Sequence, residues 1–538
     1  MLHIDSEISK HKYTITMIII VFIAFINFGV GCNWGITSIF QPDESKLVSP
    51  VRMMVESKVL LHDYWAYPAQ VSSKILAFFL IIWNKFIPLK PIQYFFANRF
   101  LYSILGSAIV FLSWKIVKRI KDEKFAIVFA AIMSVCPIWS SFSKQVTGDI
   151  PALFFSLLVL YMAQMLIKTE QKKYLILMSF FAACATLEKW HGAWVCFFIV
   201  AVVLLCCQGS FSKFITDGMI SLASYLMGIV ILAPNILIDF KGVIEGIRFT
   251  YVYDGTIENP SISAYPAFFF THLGIISVVF VIIGICNIFK LTQNSNLEYY
   301  VVYMFSPICL LVFWMFMRRT SFSRWGCGIY WGIILFLVDG IWALIHDKSK
   351  SVKVIGVIGF AMVFLCFASE SLLVDLIAIY SNKDSRIVGE EVLSGIGATN
   401  ENTLSDYYTT LSPGGMREAG EGVPIAFRDY GSDFAYEEDG TSYMRYDNIK
   451  YVVIGGYYGQ KNIDGYAVVK NNGKLLNSLQ SCNSDFDIFQ RAAGSGKWSD
   501  VELDTLRKNI DDIKTILNAD IIGPSFSIYD VSDFVNGQ

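Results

Sequence analysis

Long apolar stretches separated by short polar linkers occupy the first 380 residues of the chain. About eleven of these stretches approach the roughly 20 residues that a helix needs to cross the hydrocarbon core of a bilayer. They lie near residues 13–36, 96–114, 125–142, 149–167, 174–190, 191–207, 214–236, 268–289, 298–317, 326–346 and 352–379. The pattern predicts a polytopic α-helical membrane protein.

One further apolar segment, KILAFFLIIWNKFIPLK at residues 74–90, is short and has lysines at both ends. If it crossed the membrane, it would invert the sidedness of everything that follows. We therefore expect a helix that lies in the membrane interface. It would belong to a long external loop, residues 37–95, which opens with Asp43 and Glu44 directly after the first span.

The pattern changes after residue 380. DSRIVGEEVLSGIG has the spacing of an amphipathic helix, and IKYVVIGGYYG and FSIYDV are rich in the β-branched and aromatic residues typical of strands. The chain is therefore expected to divide into a transmembrane domain, residues 1–380, and a soluble α/β domain, residues 381–538.

Composition agrees with this division. Hydrophobic residues make up 54% of the chain and charged residues 16%, and the mean hydropathy is +0.51, which excludes a soluble globular protein. The net charge of −2 hides an asymmetry. Residues 381–538 carry 24 acidic and 14 basic side chains, a net of −10, whereas the preceding residues carry 21 acidic and 29 basic ones, a net of +8.

Lysine and arginine in the linkers determine the predicted orientation. The basic linkers KIVKRIKDEK, KTEQKK, SFSK and HDKSKSVK lie on the same side of the membrane as Lys10 and Lys12. By the positive-inside rule that side is cytoplasmic. The N-terminus is therefore expected inside the cell, and an odd number of spans then places the α/β domain outside. We expect an integral membrane protein surrounded by lipid, without a nucleic-acid partner.

Polar side chains gather at the external ends of the predicted spans, in PDES, KQVTGDIP, EKWHG, YDGTIENPSISAYP and RRTSFSRW. Ionisable residues at membrane depth are functional candidates by default. The competing interpretation is plain solvation, because charged side chains at helix ends reach water at little cost. Several loops on one face could instead converge on a single site.

Three carboxylates stand out among these residues. Asp43 and Glu44 follow Pro42, whose fixed φ gives the chain a stiff exit from the first span, and a carboxylate near an apolar wall is a good general base. Asp149 precedes Pro151, and the competing interpretation is that it simply caps the start of the fourth span.

The cationic candidates suit an anionic ligand. Lys189 lies in a tight turn between two spans, where an unpaired ammonium close to hydrocarbon would be costly. Arg324 carries the planar fork of donors that matches a phosphate. His191 and His62 lack the spacing of a metal site, and we expect them to be structural or positioning residues.

QPDESKLVSPVRMMVESKVLLHDYWAYP resembles the first external loop of the GT-C glycosyltransferases related to protein O-mannosyltransferases and the aminoarabinose transferase ArnT. Further family segments follow in the same order, in ANRFLYSILGS, CPIWSSFSKQVTGDIPALFFSLLVLYM, ATLEKWHGAW and FSRWGCGIY. The DSR start and GPSFSIYDV finish of the tail resemble the extracytoplasmic domain of bacterial members. The resemblance implies a GT-C fold of about eleven transmembrane helices and a C-terminal α/β extracytoplasmic domain.

The resemblance also implies an activity, in a bacterial cell membrane. A hexosyl or pentosyl group would move, with inversion, from a polyprenyl-phosphate-linked donor to a protein, lipid or cell-envelope glycan acceptor on the external face. The phosphate leaving group needs positive charge, and the acceptor hydroxyl needs a base. The implied roles are catalysis by Asp43, acceptor or base positioning by Glu44 and Asp149, phosphate binding by Lys189 and Arg324, and pocket formation by Arg52, His62, Tyr67, His191 and Tyr265.

No cofactor is required for this chemistry, although a divalent cation such as Mg²⁺ or Mn²⁺ could bind between carboxylates. The sequence departs from the family where Tyr67-Pro68-Ala69 replaces Pro-Pro and where Trp190 and Trp325 replace tyrosines, and it leaves the sugar and the acceptor undetermined. The alternative is a lipid or sugar transporter or flippase. A transporter predicts ionisable residues near mid-span and paired broken helices, whereas here the charges gather at one face.

Overall fold

The computed structural model describes most of the chain. The described residues are 2–35, 44–61, 65, 68–252, 257–258, 261–291, 296–316, 320–321, 323–399, 402–405, 425–426, 435–438, 441–444, 449–455, 463–483, 486–488, 491 and 496–533. Within them, the chain is mainly helical up to residue 379, and a mixed sheet with a few helices follows.

The helices before residue 380 follow the apolar stretches of the sequence. They are α1 Leu2–Gly29, α2 Glu44–Ser57, α3 Gln70–Asn84, α4 Pro91–Val117, α5 Glu123–Ser134, α6 Pro137–Ser143, α7 Asp149–Thr169, α8 Lys172–Glu188, α9 Val195–Cys207, α10 Phe211–Leu232, α11 Phe240–Val252, α12 Ala264–Phe270, α13 Ile276–Leu291, α14 Leu297–Phe316, α15 Cys327–Ile345 and α16 Lys350–Ile379. Single 3₁₀ turns at Trp190–Trp194 and Ser323–Gly326 lead into α9 and α15.

In the part of the chain that the structure describes, eight helices are long and apolar enough to cross a membrane. A ninth span results if α5 and α6 count together, because they form a pair bent by 53°. The sequence predicts one continuous span here. Pro137 explains the break, since it lacks the N–H of an interior helical residue and instead occupies the first turn of α6. The predicted spans near 174–190 and 268–289 correspond to the shorter α8 and α13, of 17 and 16 residues.

The short segment predicted to lie in the membrane interface forms α3, which has 15 residues. One face is buried, through residues that include Val71, Ser72 and Leu76. Phe79 and Trp83 on the other face are more than half exposed. An apolar exposed face on a short helix is typical of a helix that rests in the interface.

Beyond α16 the described residues form a five-stranded mixed sheet of order β4-β3-β7-β9-β8. Its strands are β3 Thr403–Ser405, β4 Ile425–Ala426, β7 Tyr451–Gly455, β8 Lys474–Leu479 and β9 Phe526–Asp530, and a separate hairpin joins β5 Ala435–Glu438 to β6 Thr441–Met444. Three helices accompany them, α17 Ser385–Gly395, α18 Ile463–Asn472 and α19 Thr505–Asn518. A two-stranded ribbon, β1 Ile257–Glu258 with β2 Thr320–Ser321, lies in the preceding part.

This C-terminal architecture follows from residue type. The predicted amphipathic helix is α17, whose Leu393 packs on Val453 and Ile528 from the sheet. The two predicted strands are β7 and β9, which pair antiparallel with Val453 opposite Ile528. The fold class predicted from the sequence, a polytopic helical membrane protein with a C-terminal α/β part, is therefore confirmed.

Candidate functional site

The site is built around the first residue of α7. Gly148 precedes it with φ of +77°, a left-handed conformation that favours glycine. Its N–H donates to the hydroxyl of Tyr102, at 3.1 Å. A Cβ on Gly148 would lie 3.1 Å from the carbonyl oxygen of Glu188. Glycine therefore lets the start of α7 approach the end of α8, and this approach brings Asp149 beside Lys189.

Asp149 is the centre of a buried charged cluster. The Nζ atom of Lys189 lies 2.7 and 2.6 Å from its two carboxylate oxygens. The Nε2 atom of His191 lies 3.5 Å from Oδ1, and Nε of Arg324 lies 3.9 Å from Oδ2. Each side chain is at most 8% exposed. The structure thus brings together four predicted site residues from three separate parts of the sequence.

Two cationic side chains of this cluster lie beside one carboxylate. Lys189 and Arg324 contribute two positive charges and Asp149 one negative charge. Lys189 lies in the connection between two helices. Burial lowers its pKa to about 8, although the Asp149 carboxylate acts in the opposite direction. Both cations carry N–H donors that can form charge-assisted hydrogen bonds with a phosphate.

The cavity beside Asp149 is small, about 20 Å³, and its lining includes Ser156, Trp194, Trp325 and Cys327. This is room for about one water molecule. His191 contributes an aromatic wall, with its ring 5.1 Å from Trp325. A phosphate can therefore reach Asp149's cationic partners only if side chains around the cavity move apart.

Glu44 begins α2 and is fully buried. Arg99 binds it with both carboxylate oxygens engaged, Nε to Oε1 at 2.9 Å and Nη2 to Oε2 at 2.5 Å. The backbone N–H of Val146 also donates to Oε1, at 2.8 Å. Because its oxygens are held in this way, Glu44 is suited to positioning the adjoining loop rather than to touching an acceptor. Its neighbour Asp43 lies outside the described residues.

The remaining predicted pocket residues are spread more widely. Arg52 forms an ion pair with Glu56 one turn later on α2, with Nε 2.7 Å from Oε1. Tyr265 on α12 is buried against Phe313 and lies close to Gly326, two residues after Arg324. His62 and Tyr67 lie outside the described residues. The roles of all predicted site residues stay predictions.

Two buried residues with positioning functions are missing from the sequence-based set. Arg99 lies inside the apolar α4, and an arginine within a span was the signal that could have found it. Glu188 accepts from the backbone N–H of Ser72 at 2.5 Å and from its hydroxyl at 2.6 Å, which anchors the start of α3. Its signal was a carboxylate at the end of an apolar helix, directly before Lys189.

Among the residues that the structure describes, no group of three or more His, Cys, Asp or Glu side chains is arranged to hold a metal ion. Asp43, one of the predicted site carboxylates, lies outside this set. The divalent cation considered from the sequence thus stays an untested prediction.

Residues 93–238 match the family model described as dolichyl-phosphate-mannose-protein mannosyltransferase. No curated protein gives a significant match. Among solved structures, the chain is similar to ArnT from Cupriavidus metallidurans bound to undecaprenyl phosphate, with 12% identity, a TM-score of 0.49 and coverage of 86% of this chain and 96% of that one. It is also similar to Archaeoglobus fulgidus oligosaccharyltransferase tethered to an acceptor peptide, with 9% identity, a TM-score of 0.48 and coverage of 94% and 72%.

The family match confirms the resemblance to GT-C glycosyltransferases that the sequence motifs indicate. The matched segment contains Arg99, Asp149, Lys189 and His191, whereas Arg324 lies beyond it. Together with the polytopic helical fold, the match supports a glycosyltransferase activity in an integral membrane protein.

Proposed function

We propose that this protein transfers a sugar, with inversion, from a polyprenyl-phosphate-linked donor to an acceptor hydroxyl of a protein, lipid or cell-envelope glycan. The reaction would occur at the external face of a bacterial cell membrane. The observation that carries the proposal is the Asp149 cluster, in which Lys189 and Arg324 converge at the end of two apolar helices. A lipid-linked donor keeps its tail in the membrane and brings a phosphate to that depth.

The donor phosphate is the expected partner of the cluster. On donor binding, Lys189 and Arg324 turn from Asp149 towards the phosphate oxygens and form charge-assisted hydrogen bonds with them. Asp149 stays close enough to orient both cations. As the bond between the anomeric carbon and the phosphate oxygen breaks, the electron pair remains on that oxygen. The two cations stabilise the growing negative charge, so no general acid is needed.

The acceptor hydroxyl attacks the anomeric carbon from the face opposite the phosphate, which inverts the configuration. Its proton passes to a carboxylate base, for which Asp43 is the candidate. Glu44 would position that base, because the peptide bond joins the two residues and Arg99 holds Glu44 in place. A divalent cation is not required for these steps.

Release of polyprenyl phosphate tests the activity. Purified protein in nanodiscs is given a series of polyprenyl-phosphate sugars together with the lipids that co-purify with it, and products are identified by mass spectrometry. Formation of polyprenyl phosphate and of a sugar-acceptor product supports the proposal. Movement of intact sugar-lipid across liposomes without either product would replace the enzyme with the transporter alternative.

Asp43→Asn tests the base, since it keeps the shape of the side chain and removes its basicity. We expect the single-turnover rate to fall about 10²–10⁴-fold, the usual contribution of a positioned acid or base, with donor affinity little changed. Asp122→Asn is the matched control, because Asp122 only caps α5, with its carboxylate accepting from the N–H of Phe125. A near-normal rate for Asp43→Asn would remove Asp43 from the mechanism.

A further inference from the structure

Trp34 is fully buried, and part of its surroundings belongs to the C-terminal part of the chain. It lies in the turn after α1, yet it packs in a hydrophobic cluster with the end of α16 and with Phe486, Ile516 and Ile522. The turn itself is pressed against α16, because a Cβ on Gly31 would lie 2.1 Å from the Cβ of Ala378. The exit of the first helix is thus part of the core that anchors the C-terminal domain.

A buried arginine of the C-terminal domain lies next to this tryptophan. The guanidinium carbon of Arg386 is 5.8 Å from the centroid of the Trp34 ring. Its Nε and Nη2 atoms donate to the two oxygens of Asp384, at 2.9 and 2.8 Å, and Nη2 also contacts Asp487. All three charged side chains are fully buried. These carboxylates fix the guanidinium in the position from which it makes a cation–π contact.

A second arginine contacts the same ring from the membrane part. The guanidinium carbon of Arg99 is 5.6 Å from the Trp34 centroid. Its Nη1 atom donates to the carbonyl of Cys32, at 3.3 Å, and to the carbonyl of Trp34. Its other nitrogens bind Glu44. One guanidinium therefore ties the exit of α1 to the first residue of α2, and the residues between these two fixed points include Asp43.

We propose that Arg386 is a positioning residue for glycosyl transfer, acting through Trp34 and Arg99 on the loop that carries Asp43. The C-terminal domain would then set the geometry of the catalytic loop, besides any contact it makes with an acceptor. The activity part of this inference rests on the proposed function. The structural part, coupling between Arg386 and residues 31–44, does not.

The test compares two arginines of the C-terminal domain that both bind carboxylates. Arg386→Lys keeps the charge but loses the planar fork that spans Asp384 and Asp487. The matched control is Arg491→Lys, because Arg491 joins the same domain to Glu370 of α16, with nitrogen–oxygen distances of 2.6 and 2.7 Å, rather than to the Trp34 ring.

Hydrogen exchange measured on the whole protein in nanodiscs reports the coupling directly. Arg386→Lys should speed exchange in peptides that cover residues 31–44, while Arg491→Lys should leave them unchanged. In the same preparations, Arg386→Lys should lower kcat by roughly 10- to 100-fold, the effect of a small misplacement of a reacting group, with the KM for the donor little changed. If exchange in 31–44 stays at the wild-type rate, or if both variants speed it equally, the coupling is refuted.

Trp34 offers a second, independent comparison. Trp34→Phe keeps an aromatic face for the two guanidinium groups, whereas Trp34→Leu removes it. We expect the Phe variant to retain most of the wild-type kcat and to keep hydrogen exchange in residues 31–44 as slow as in the wild type. The Leu variant should show the lower kcat and faster exchange expected of Arg386→Lys. Equal behaviour of the two variants would refute the cation–π link. If Asp43→Asn proves fully active, the exchange data still decide the coupling, so failure of one idea is distinguishable from failure of the other.

Discussion

Replacing Lys189 with methionine should weaken the binding of polyprenyl phosphate while leaving the binding of polyprenyl alcohol unchanged. Methionine keeps most of the volume and removes the charge. A hydrogen bond to a charged group contributes about 1.5–3 kcal/mol, which corresponds to about 10- to 150-fold in affinity. Both oxygens of Asp149 already hold the Lys189 ammonium, at 2.7 and 2.6 Å. On binding, Lys189 thus exchanges the Asp149 carboxylate for the phosphate. We therefore expect the loss of affinity to lie at the lower end of this range, about tenfold.

The pH dependence gives this prediction a second, independent signature. Lys189 has a pKa of about 8, so its ammonium is present below that pH and is lost as the pH rises through it. The phosphate gains its second charge near pH 6, well below this range. Affinity of the wild-type protein for polyprenyl phosphate should therefore fall above about pH 8, because the ammonium loses its proton there. In Lys189→Met this alkaline decrease should be absent.

Calorimetric titration of a short-chain polyprenyl phosphate and the matching alcohol into detergent-solubilised protein measures both effects. Lys172→Met is the control variant, because Lys172 also pairs with an aspartate, Asp217, at the opposite end of α8, but its side chain is 48% exposed. It should bind both lipids like the wild type. If Lys189→Met binds the phosphate as tightly as the wild type, or weakens alcohol binding equally, Lys189 is a counterion of Asp149 and not a phosphate ligand.

Two further predictions concern the backbone and the orientation. Gly148→Ala should lower the thermal midpoint of unfolding and the transfer rate more than Gly209→Ala. Both glycines have positive φ, but a Cβ would meet the Glu188 carbonyl at Gly148 and open space at Gly209. Equal losses would show that only the backbone conformation matters. After replacement of the native cysteines, Ser499→Cys should react with a membrane-impermeant reagent in intact cells and Ser349→Cys should not, and the reverse pattern would invert the predicted orientation.

Much of the fold is determined by local features of the sequence. A helix that crosses a membrane needs a long run of apolar side chains, and a strand needs a short run of β-branched or aromatic ones, so both can be read along the chain. The helices α4, α7, α15 and α16 and the strands β7 and β9 lie where these runs occur. The chemical types of the site, carboxylates and cations at helix ends, are visible in the same way.

Which charged groups meet is decided only by tertiary packing. Lys189 and Arg324 contact Asp149 because the start of α7, the end of α8 and the turn before α15 lie side by side. The periodicity of the sequence does not indicate this arrangement. Glu44 is predicted to position the acceptor or the base, and the partner that holds its oxygens, Arg99, belongs to another helix. The link from Arg386 through Trp34 joins residues more than 350 positions apart. Local propensity acts over a few residues, whereas the partner of a buried charge is chosen by whichever helix ends the fold brings within hydrogen-bonding distance.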